Sequence, residues 1–550
     1  MKNEEVQNVV KILGLRFGVT YDEANLKTLR YGHLMIMTDQ DHDGSHIKGL
    51  LINCLHHFWP SLLQIPGFLR CFITPIVKAT PAAKSKPAEV FFTLPEYEAW
   101  KEARGGLHGH AIKYYKGLGT STAKEAKEYF GELDTHQLDY ATLDEAAREG
   151  DLIDMAFSKK RVEDRKTWLR NLEPGTFVDY AVDAMSYGDF VNKELILFSV
   201  ADNQRSIPSV VDGLKPSQRK VLFACFKRKL KKEIKVAQLA GYVSEHAAYH
   251  HGEMSLTGTI VGMAQDFVGS NNVNLLTPAG QFGTRIMGGK DAASSRYIFT
   301  KLEAVARKVF HPDDDFVLDY LEDDGQSIEP TYYVPVLPFA LCNGADGIGT
   351  GWATSVPNYA PRALIGVLRR MIDAVGDDVD DDVGPLADCA AEDVGAADLA
   401  PHYRGFGGEI VAKGGKNAGA FAVLGRATRL DDVTVLVDEL PVRKWTHDYK
   451  QWLEVQLSGD DKTKAWVKDF KENHTDTRVS FTVTVAKGED LDDAEAALGG
   501  LEKKFKLEGS LATSNMNFFD DTGLVIDKYD APFDVIKAFY KVRVATYAKR

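Results

Sequence analysis

The chain has 550 residues, 44% of them hydrophobic and 26% charged, which is ordinary for a globular protein. That length is too great for one core and predicts about three or four domains, while no apolar run approaches the roughly 20 residues of a membrane span. The formal net charge of −13 weighs against a nucleic-acid partner only if the charge is evenly spread, and it is not. Acid is concentrated in Asp377 to Asp382 (DDVDDD) and the following AAEDVGAAD, an Ala/Gly/Asp-rich segment that reads as a solvated loop. The N-terminus, MKNEEVQNVV, lacks signal-peptide character, and Cys54, Cys71, Cys225, Cys342 and Cys389 form no CxxC pair. These features predict reduced thiols in an intracellular protein and no zinc site.

Taken in order, Val6, Val9, Val10, Ile12 and Leu13 recur at helical spacing and predict a first helix. Leu34 to Met37 (LMIM) reads as a buried strand running directly into Asp39, Asp41 and Asp43. Alternate residues share a direction on a strand, so the three carboxylates are expected together at its C-terminal edge. Like charges that close call for a cation, and oxygen ligands without His or Cys suit Mg²⁺. A calcium loop of the EF-hand type fits Asp39-x-Asp41-x-Asp43-Gly44 but fails at its twelfth position, Leu50, where a bidentate Glu belongs. A solvated acidic turn is the plainer alternative.

Tyr114 to Ser121 (YYKGLGTS) contains a lone GLGT, by itself a turn, with Lys116 before it. A helix from Ser121 to Phe130 is expected, capped by Ser121 or Thr122 with Glu125 close behind. SKKRVEDRKTWLRNL follows as a charged helix centred on Arg165 and Lys166, whose plain reading is a solvated face. From Tyr187 a new domain is expected. There SIPSVVDGLKPSQRKVLFACFKRKL has a turn at Gly213 and places Pro216 at a helix N-terminus, with Leu222, Phe223, Phe226 and Leu230 as its apolar face. Lys215, Arg219, Lys220 and the later KRKLKKEIK make the strongest basic cluster, suited to phosphate neutralisation.

A second helix is expected from Gly252 to Phe267, introduced by Tyr249, His250 and His251. The paired histidines point apart on regular structure, which argues against a metal there. Two such helices followed by a Gly- and Asn-rich loop fit a helix-turn-helix with a wing. The loop ends at Arg296 and Tyr297, from which YIFTKLEAVARKVF is predicted to leave as a helix with Ile298, Leu302, Val305 and Val309 buried. Strands are expected beyond Asp313. In NGADGIGTGW, Ile348 sits between two glycines, either as a buried residue of a turn or as an exposed wedge of the kind that enters base steps. Pro361 to Glu502 reads as mixed α/β, and FDVIKAFYKVRVATYAKR as a final amphipathic helix.

MTDQDHDGSHIKGLL resembles the acidic motif of a Toprim fold in type IIA DNA topoisomerases, in wording nearer the eukaryotic topoisomerase II branch than bacterial gyrase. The resemblance continues through YYKGLGTS, GQFGTR, GGKDAAS, RYIFT and ELPVRKWT and covers almost the whole chain. It implies a multidomain α/β and α+β chain: a partial Toprim domain (1–80), a connecting region (81–186), a winged-helix domain (187–314), a tower domain (315–505), and a DNA-facing segment, including LEGSLATSNM, with the start of a coiled coil (506–550). It implies that Tyr297 cleaves DNA with Arg296 beside it. Asp39, Asp41 and Asp43 would hold Mg²⁺, with Mn²⁺ or Ca²⁺ as possible substitutes. Arg165, Lys166, Arg205, Lys215, Tyr249, His251, Ser255 and Trp445 would touch DNA, and Ile348 would bend it.

The partners implied are double-stranded DNA and a second copy of the chain, with no membrane, in the nucleus. ATP would serve the intact enzyme without binding this chain. The family's Toprim fold opens with a strand ending in a Glu, within an EGDSA-type motif that does not occur here. The resemblance therefore implies a chain that starts late and stops before the family's long coiled coil and C-terminal gate. Three other readings follow: a gyrase or topoisomerase IV relative, whose Toprim and tyrosine parts are separate chains; a Toprim nuclease or primase, which would not need the Tyr297 region; and a DNA-binding, DNA-bending core that does not cleave because it lacks the Glu.

Overall fold

A computed structural model describes residues 3–83, 87–106, 109–115, 117–323, 325–376, 385–414, 419–461, 464–489, 491–496 and 499–550. Lys116 and the DDVDDD run therefore lie outside the described residues. The chain divides into two compact units, one of residues 1–203 with 349–352, the other of residues 204–348 with 353–550. Among the described residues no helix is long and apolar enough to cross a membrane. All five cysteines are free, and burial pushes the Cys71 thiol up to about 11 and those of Cys225 and Cys342 to about 12.

In the first unit α1 (Glu4–Leu13) forms where expected, capped by the Asn3 side chain on the Val6 N–H at 2.8 Å and closed by Gly14, but only Leu13 is buried on it. β1 (Leu34–Met37) is followed by α2 (His42–Phe58) and β2 (Leu69–Phe72). β3 (Val77–Pro81), β4 (Glu89–Phe91), α3 (Leu94–Ala103), β5 (His110–Tyr114), α4 (Ala123–Gly131) and β6 (Gln137–Tyr140) come next. Then come α5 (Glu149–Phe157), α6 (Val162–Arg170), β7 (Ala184–Met185), a π-helical turn (Phe190–Leu195) and α7 (Ile196–Ser206), in whose last turn the division between units falls. One sheet has the order β1-β2-β6-β7, with β1 parallel to β2, and a smaller one the order β4-β3-β5. β1 is an edge strand with only Ile36 buried and Met37 exposed, which corrects the expectation of a fully buried strand. α4 has the expected capping box between Thr122 and Glu125.

The second unit opens with α8 (Pro216–Lys227), β8 (Ile234–Lys235), α9 (Val236–His246) and α10 (Glu253–Ala264), packed around Leu222, Val236, Leu239, Leu256 and Ile260. α9 is not among the expected helices. Its apolar positions, Val236, Leu239, Ala240 and Val243, do fall at helical spacing and are buried. The helix expected to leave from Tyr297 does not form. β9 (Phe299–Thr300) pairs with β8 instead, and helix resumes only at Ala306–Val309. The run Ile-Phe-Thr suits a strand, and Ile298 and Val309 are buried all the same.

Three β pairs follow: β10 (Tyr320–Asp323) with β11 (Gln326–Pro330), β12 (Ala345–Ile348) with β13 (Ala353–Val356), and, near the C-terminus, the hairpin Met516–Phe519 with Ile526–Tyr529. α11 (Pro361–Val375) buries Leu364, Val367, Leu368 and Met371. A four-stranded antiparallel sheet of Arg426–Arg429, Thr434–Glu439, Phe481–Val485 and Val467–Glu472 packs with α12 (Thr446–Ser458) around Val437, Tyr449, Leu453 and Phe481.

The last helix, α13 (Pro532–Lys549), sinks into the core of the second unit through Val535, Ile536, Phe539 and Tyr540. Arg543 extends its buried side and grips Asp314 with both terminal nitrogens, at 2.7 and 2.9 Å, while donating to the Val334 carbonyl at 2.8 Å. Removing one partner of a buried pair strands the other, at a cost of about 3–5 kcal/mol, whereas apolar replacement of both is close to neutral. Urea unfolding of Asp314→Ala is therefore expected to show that loss, and Asp314→Leu/Arg543→Met to show much less of it.

Candidate active site and nucleic-acid interface

The three aspartates do not continue β1. Asp39 lies in the turn after it, Asp41 is the N-cap of α2, and Asp43 sits in that helix's first turn. Helix capping wins over strand extension because Asp41 Oδ1 accepts the Gly44 N–H at 2.7 Å, satisfying a donor that the helix start leaves free. Gly44 is required by space, since a Cβ there would overlap the Asp39 carbonyl. The GLGT turn closes over the same aspartate: the Leu118 N–H donates to Asp39 Oδ1 at 2.6 Å. A Cβ on Gly117 would stand 2.7 Å from the Asp39 carboxyl carbon. Nothing in the local sequence pattern shows that this turn faces the acidic motif.

Among the described residues no three His, Cys, Asp or Glu side chains converge as a ready metal cage. The donor chemistry still fits Mg²⁺, which takes one or two carboxylates and keeps several of its own waters. A carboxylate that spends one oxygen on a backbone N–H retains acceptor capacity on the other.

Also in the first unit, Arg165 is buried rather than on a solvated face. It donates through Nη1 to the Met155 and Ser158 carbonyls, both at 2.8 Å, and burial holds its pKa below the usual arginine value. Lys166 is half-buried and pairs with Glu163 at 2.8 Å.

In the second unit Arg296 and Tyr297 lie in an exposed turn, not at a helix start. Tyr297 is 73% exposed, and its hydroxyl meets no partner among the described residues. Its backbone is held on both sides: Tyr297 N–H donates to the Ser294 carbonyl at 2.9 Å, and the Ile298 carbonyl accepts from Val236 at 3.0 Å. Tyr249 is buried with its ring 5.5 Å from that of His251, edge to face, while His251 and Ser255 are exposed at the start of α10. His250 turns the other way, to Asp323 at 3.0 Å, so the two histidines do part.

Lys215 is the N-cap residue of α8 and half-buried. Burial pulls its pKa down and Asp346 opposes that. Arg205 lies in the last turn of α7. Ile348 ends β12 with 84% of its surface exposed, so the buried alternative does not hold. Trp445, the N-cap residue of α12, packs its ring edge to face on Phe267 at 5.9 Å and lies against Gly288. Beside it, burial and the Lys506 charge lower the Lys444 ammonium to about 8.

The basic cluster divides. Arg219 is buried on Asp212, whose carboxylate also accepts the Leu214 and Tyr333 N–H groups at 2.9 Å each. Lys220 bonds the Ala247 carbonyl and pairs with Glu329 at 2.9 Å. Both brace the fold, a role that composition and spacing do not reveal, although Asp212 before Gly213 in DGLKP carries the signal of an Asp-built turn. Exposed cations remain at Arg228, Lys229, Lys231 and Lys232, which line a cleft of about 800 Å³ with Tyr242 and Phe299.

Residues 205–550 match the family model for the DNA gyrase/topoisomerase IV A subunit; residues 72–203 match the C-terminal associated domain of TOPRIM. The two matches meet where the compact units divide. The chain belongs to the type IIA DNA topoisomerase family. Within it, the chain is similar to eukaryotic members: it is 51% identical over 550 residues to DNA topoisomerase 2 of Arabidopsis thaliana and 50% identical over 565 residues to DNA topoisomerase 2-beta of Homo sapiens. All of this chain is covered, but it spans only 35% and 33% of those relatives, about a third of their length. A crystal structure of the Plasmodium falciparum topoisomerase II DNA-binding, cleavage and re-ligation domain matches with a TM-score of 0.76 and 47% identity, over 100% of this chain and 70% of that one.

The contact between Gly117 and Asp39 yields a direct test. Gly117→Ala should push the carboxylate away from the Leu118 amide. A hydrogen bond to a charged group contributes about 1.5–3 kcal/mol, so exchange of the Leu118 amide with deuterium should accelerate roughly tenfold or more while the sheet amides keep their protection.

Proposed function

We propose that this chain is the DNA-binding and cleavage core of a eukaryotic-type topoisomerase II, cutting duplex DNA reversibly through a 5′-phosphotyrosine at Tyr297. The observation that carries this reading is the exposed Arg296–Tyr297 turn, held by backbone bonds on both sides, in a chain similar over its whole length to topoisomerase 2 proteins.

Reversible cutting requires that the phosphodiester's energy be kept. The Tyr297 phenolic oxygen bonds to phosphorus, the bond from phosphorus to the 3′-oxygen breaks, and the phenol's proton passes by way of solvent to that 3′-oxygen. Resealing is the reverse, with the 3′-hydroxyl attacking and the phenol leaving. Arg296 presents a planar fork of donors to the phosphoryl oxygens. Lys215, His251 and Arg205 position the scissile phosphate, and Tyr249, Ser255, Trp445, Arg165 and Lys166 support the duplex around it. Asp39, Asp41 and Asp43 would hold Mg²⁺, or Mn²⁺ or Ca²⁺ in its place, and the bound ion would supply charge stabilisation to the leaving group. Ile348, bare at the end of β12, enters the base stack and bends the duplex.

On this reading residues 1–80 are the Toprim part, 81–186 its connection, and 187–314 the winged-helix domain built on α8, α9, α10 and the β8–β9 pair. Residues 315–505 form the tower, and 506–550 are the DNA-facing segment leading to a coiled coil. Two copies act together, each cutting one strand, in a nuclear enzyme whose ATP-driven strand passage uses parts outside this chain.

The decisive experiment mixes the protein with Mg²⁺ or Mn²⁺ and end-labelled duplex, denatures it, and looks for label on the polypeptide. Tyr297→Phe is expected to abolish the adduct with binding intact. Asp41→Asn should weaken it with DNA affinity nearly unchanged, because Asn preserves the helix cap. An adduct that persists in Tyr297→Phe overturns the assignment, and binding without any adduct supports a non-cleaving core instead.

Bending has its own test. Ile348→Ala is expected to reduce the bend reported by energy transfer between end-labelled DNA termini, with a smaller loss of affinity. An unchanged bend would remove Ile348 from that role.

A further inference from the structure

Below the acidic turn, α2 turns a polar stripe inward. Ser45 and Lys48 are 8% and 4% exposed, among apolar neighbours such as Ile52 and Leu55. Both meet Glu194, itself 6% exposed: the Lys48 ammonium pairs with Oε1, and the Ser45 hydroxyl donates to the same oxygen at 2.8 Å. The other oxygen, Oε2, accepts the Tyr180 hydroxyl at 3.1 Å, and that hydroxyl accepts the Gln40 side-chain amide at 2.6 Å. Gln40 stands between Asp39 and Asp41, and Ser45 N–H donates to the Asp41 carbonyl at 3.1 Å. One buried carboxylate is thus connected to both sides of the turn that carries the three aspartates.

Glu194 occupies the π-helical turn Phe190–Leu195. A π turn is less stable than an α-helical one and recurs where a side chain must be re-aimed for function. Leu195 of the same turn lies against Gly49 on α2, so the carboxylate is seated by packing as well as by hydrogen bonds. A buried Lys–Glu pair contributes little net stability compared with apolar replacements, because desolvation opposes the attraction. Its connections, direct to Lys48 and Ser45 and through Tyr180 to Gln40, do fix geometry.

We infer that Glu194 is a positioning residue: with Lys48 it locks Gln40 and Ser45, and through them holds the turn that carries Asp39, Asp41 and Asp43 in the geometry at which it would take a divalent cation. The inference rests on the reading of those aspartates as the metal site. Residues that orient metal ligands from behind typically change metal affinity 10–100-fold when replaced.

The test is titration of Mn²⁺ into the full chain without DNA, with the free ion read by its paramagnetic resonance. Glu194→Gln is expected to weaken Mn²⁺ binding by roughly 10–100-fold, and Glu194→Asp to recover part of that loss. The pair replacement Lys48→Met/Glu194→Leu guards against misfolding. It should keep a near-normal melting temperature yet bind Mn²⁺ as weakly as Glu194→Gln. Unchanged Mn²⁺ affinity in the folded pair replacement, whatever its melting temperature, overturns the inference and leaves a purely structural network. Asp41→Asn in the same titration separates the two levels. If it leaves Mn²⁺ binding intact, the metal site itself has been misassigned and the inference falls with it. If it removes binding while both Glu194 variants retain it, only the inference falls.

Discussion

Three carboxylates within five residues repel one another, and a fold that holds them side by side must supply positive partial charge at fixed points. Here backbone N–H groups supply it, from Leu118 to Asp39 and from Gly44 to Asp41. Both donors need their neighbourhood empty of side chain, which is why a glycine sits at Gly44 and another at Gly117. The helix that begins there adds its own positive end, which favours anions at its first turn. Much of what surrounds the first unit's sheet serves this turn: β1 delivers it, the loop after β5 covers it, and α2 anchors it to the core.

The same device recurs at larger scale. Asp212 collects Arg219 and two N–H groups and so fixes the loop that presents Lys215 at the start of α8. Asp314 fixes the last helix through Arg543. In each case a buried anion is satisfied by a guanidinium. Arg suits this use because its planar fork fills two acceptor directions at once and stays charged when buried. The consequence reaches function. Cations that a count of the sequence assigns to a DNA grip, Arg219 and Lys220 among them, are consumed in bracing the fold. On the proposed function, the charge facing phosphate falls instead to Arg205, Lys215 and Arg296, with the exposed cations Arg228, Lys229, Lys231, Lys232 and Lys235 in the same unit.

Legibility in the sequence follows interaction range. The capped helix at Thr122–Glu125 and the Pro216 helix start are readable because their signals are local. The fate of the segment after Tyr297 is not, because it depends on Ile234 and Lys235, more than sixty residues earlier, which offer a strand partner that helical periodicity cannot see. α9 is masked by the charge run that precedes it, although its apolar spacing is present. The candidate site residues are named by a family pattern. Their physical settings, Arg165 buried on carbonyls against Tyr297 and Ile348 bare, depend on long-range packing that no short window contains.

On the proposed function, the Tyr297 setting also bears on reversibility. A nucleophile that must leave and be attacked again cannot ride on a mobile loop, or the severed ends would drift apart. Here the residues after it enter a short β pair, with Phe299 bonded to Ala279 and set against Lys235, and the residue before its ring, Arg296, stays exposed. The turn from Ser294 to Tyr297 is closed by a single backbone bond. Backbone restraint with side-chain exposure gives a phenol that can reach a phosphate while its Cα remains fixed. Such preorganisation would favour religation by the 3′-hydroxyl over loss of the covalent end, because the phosphotyrosine end stays where it was cut.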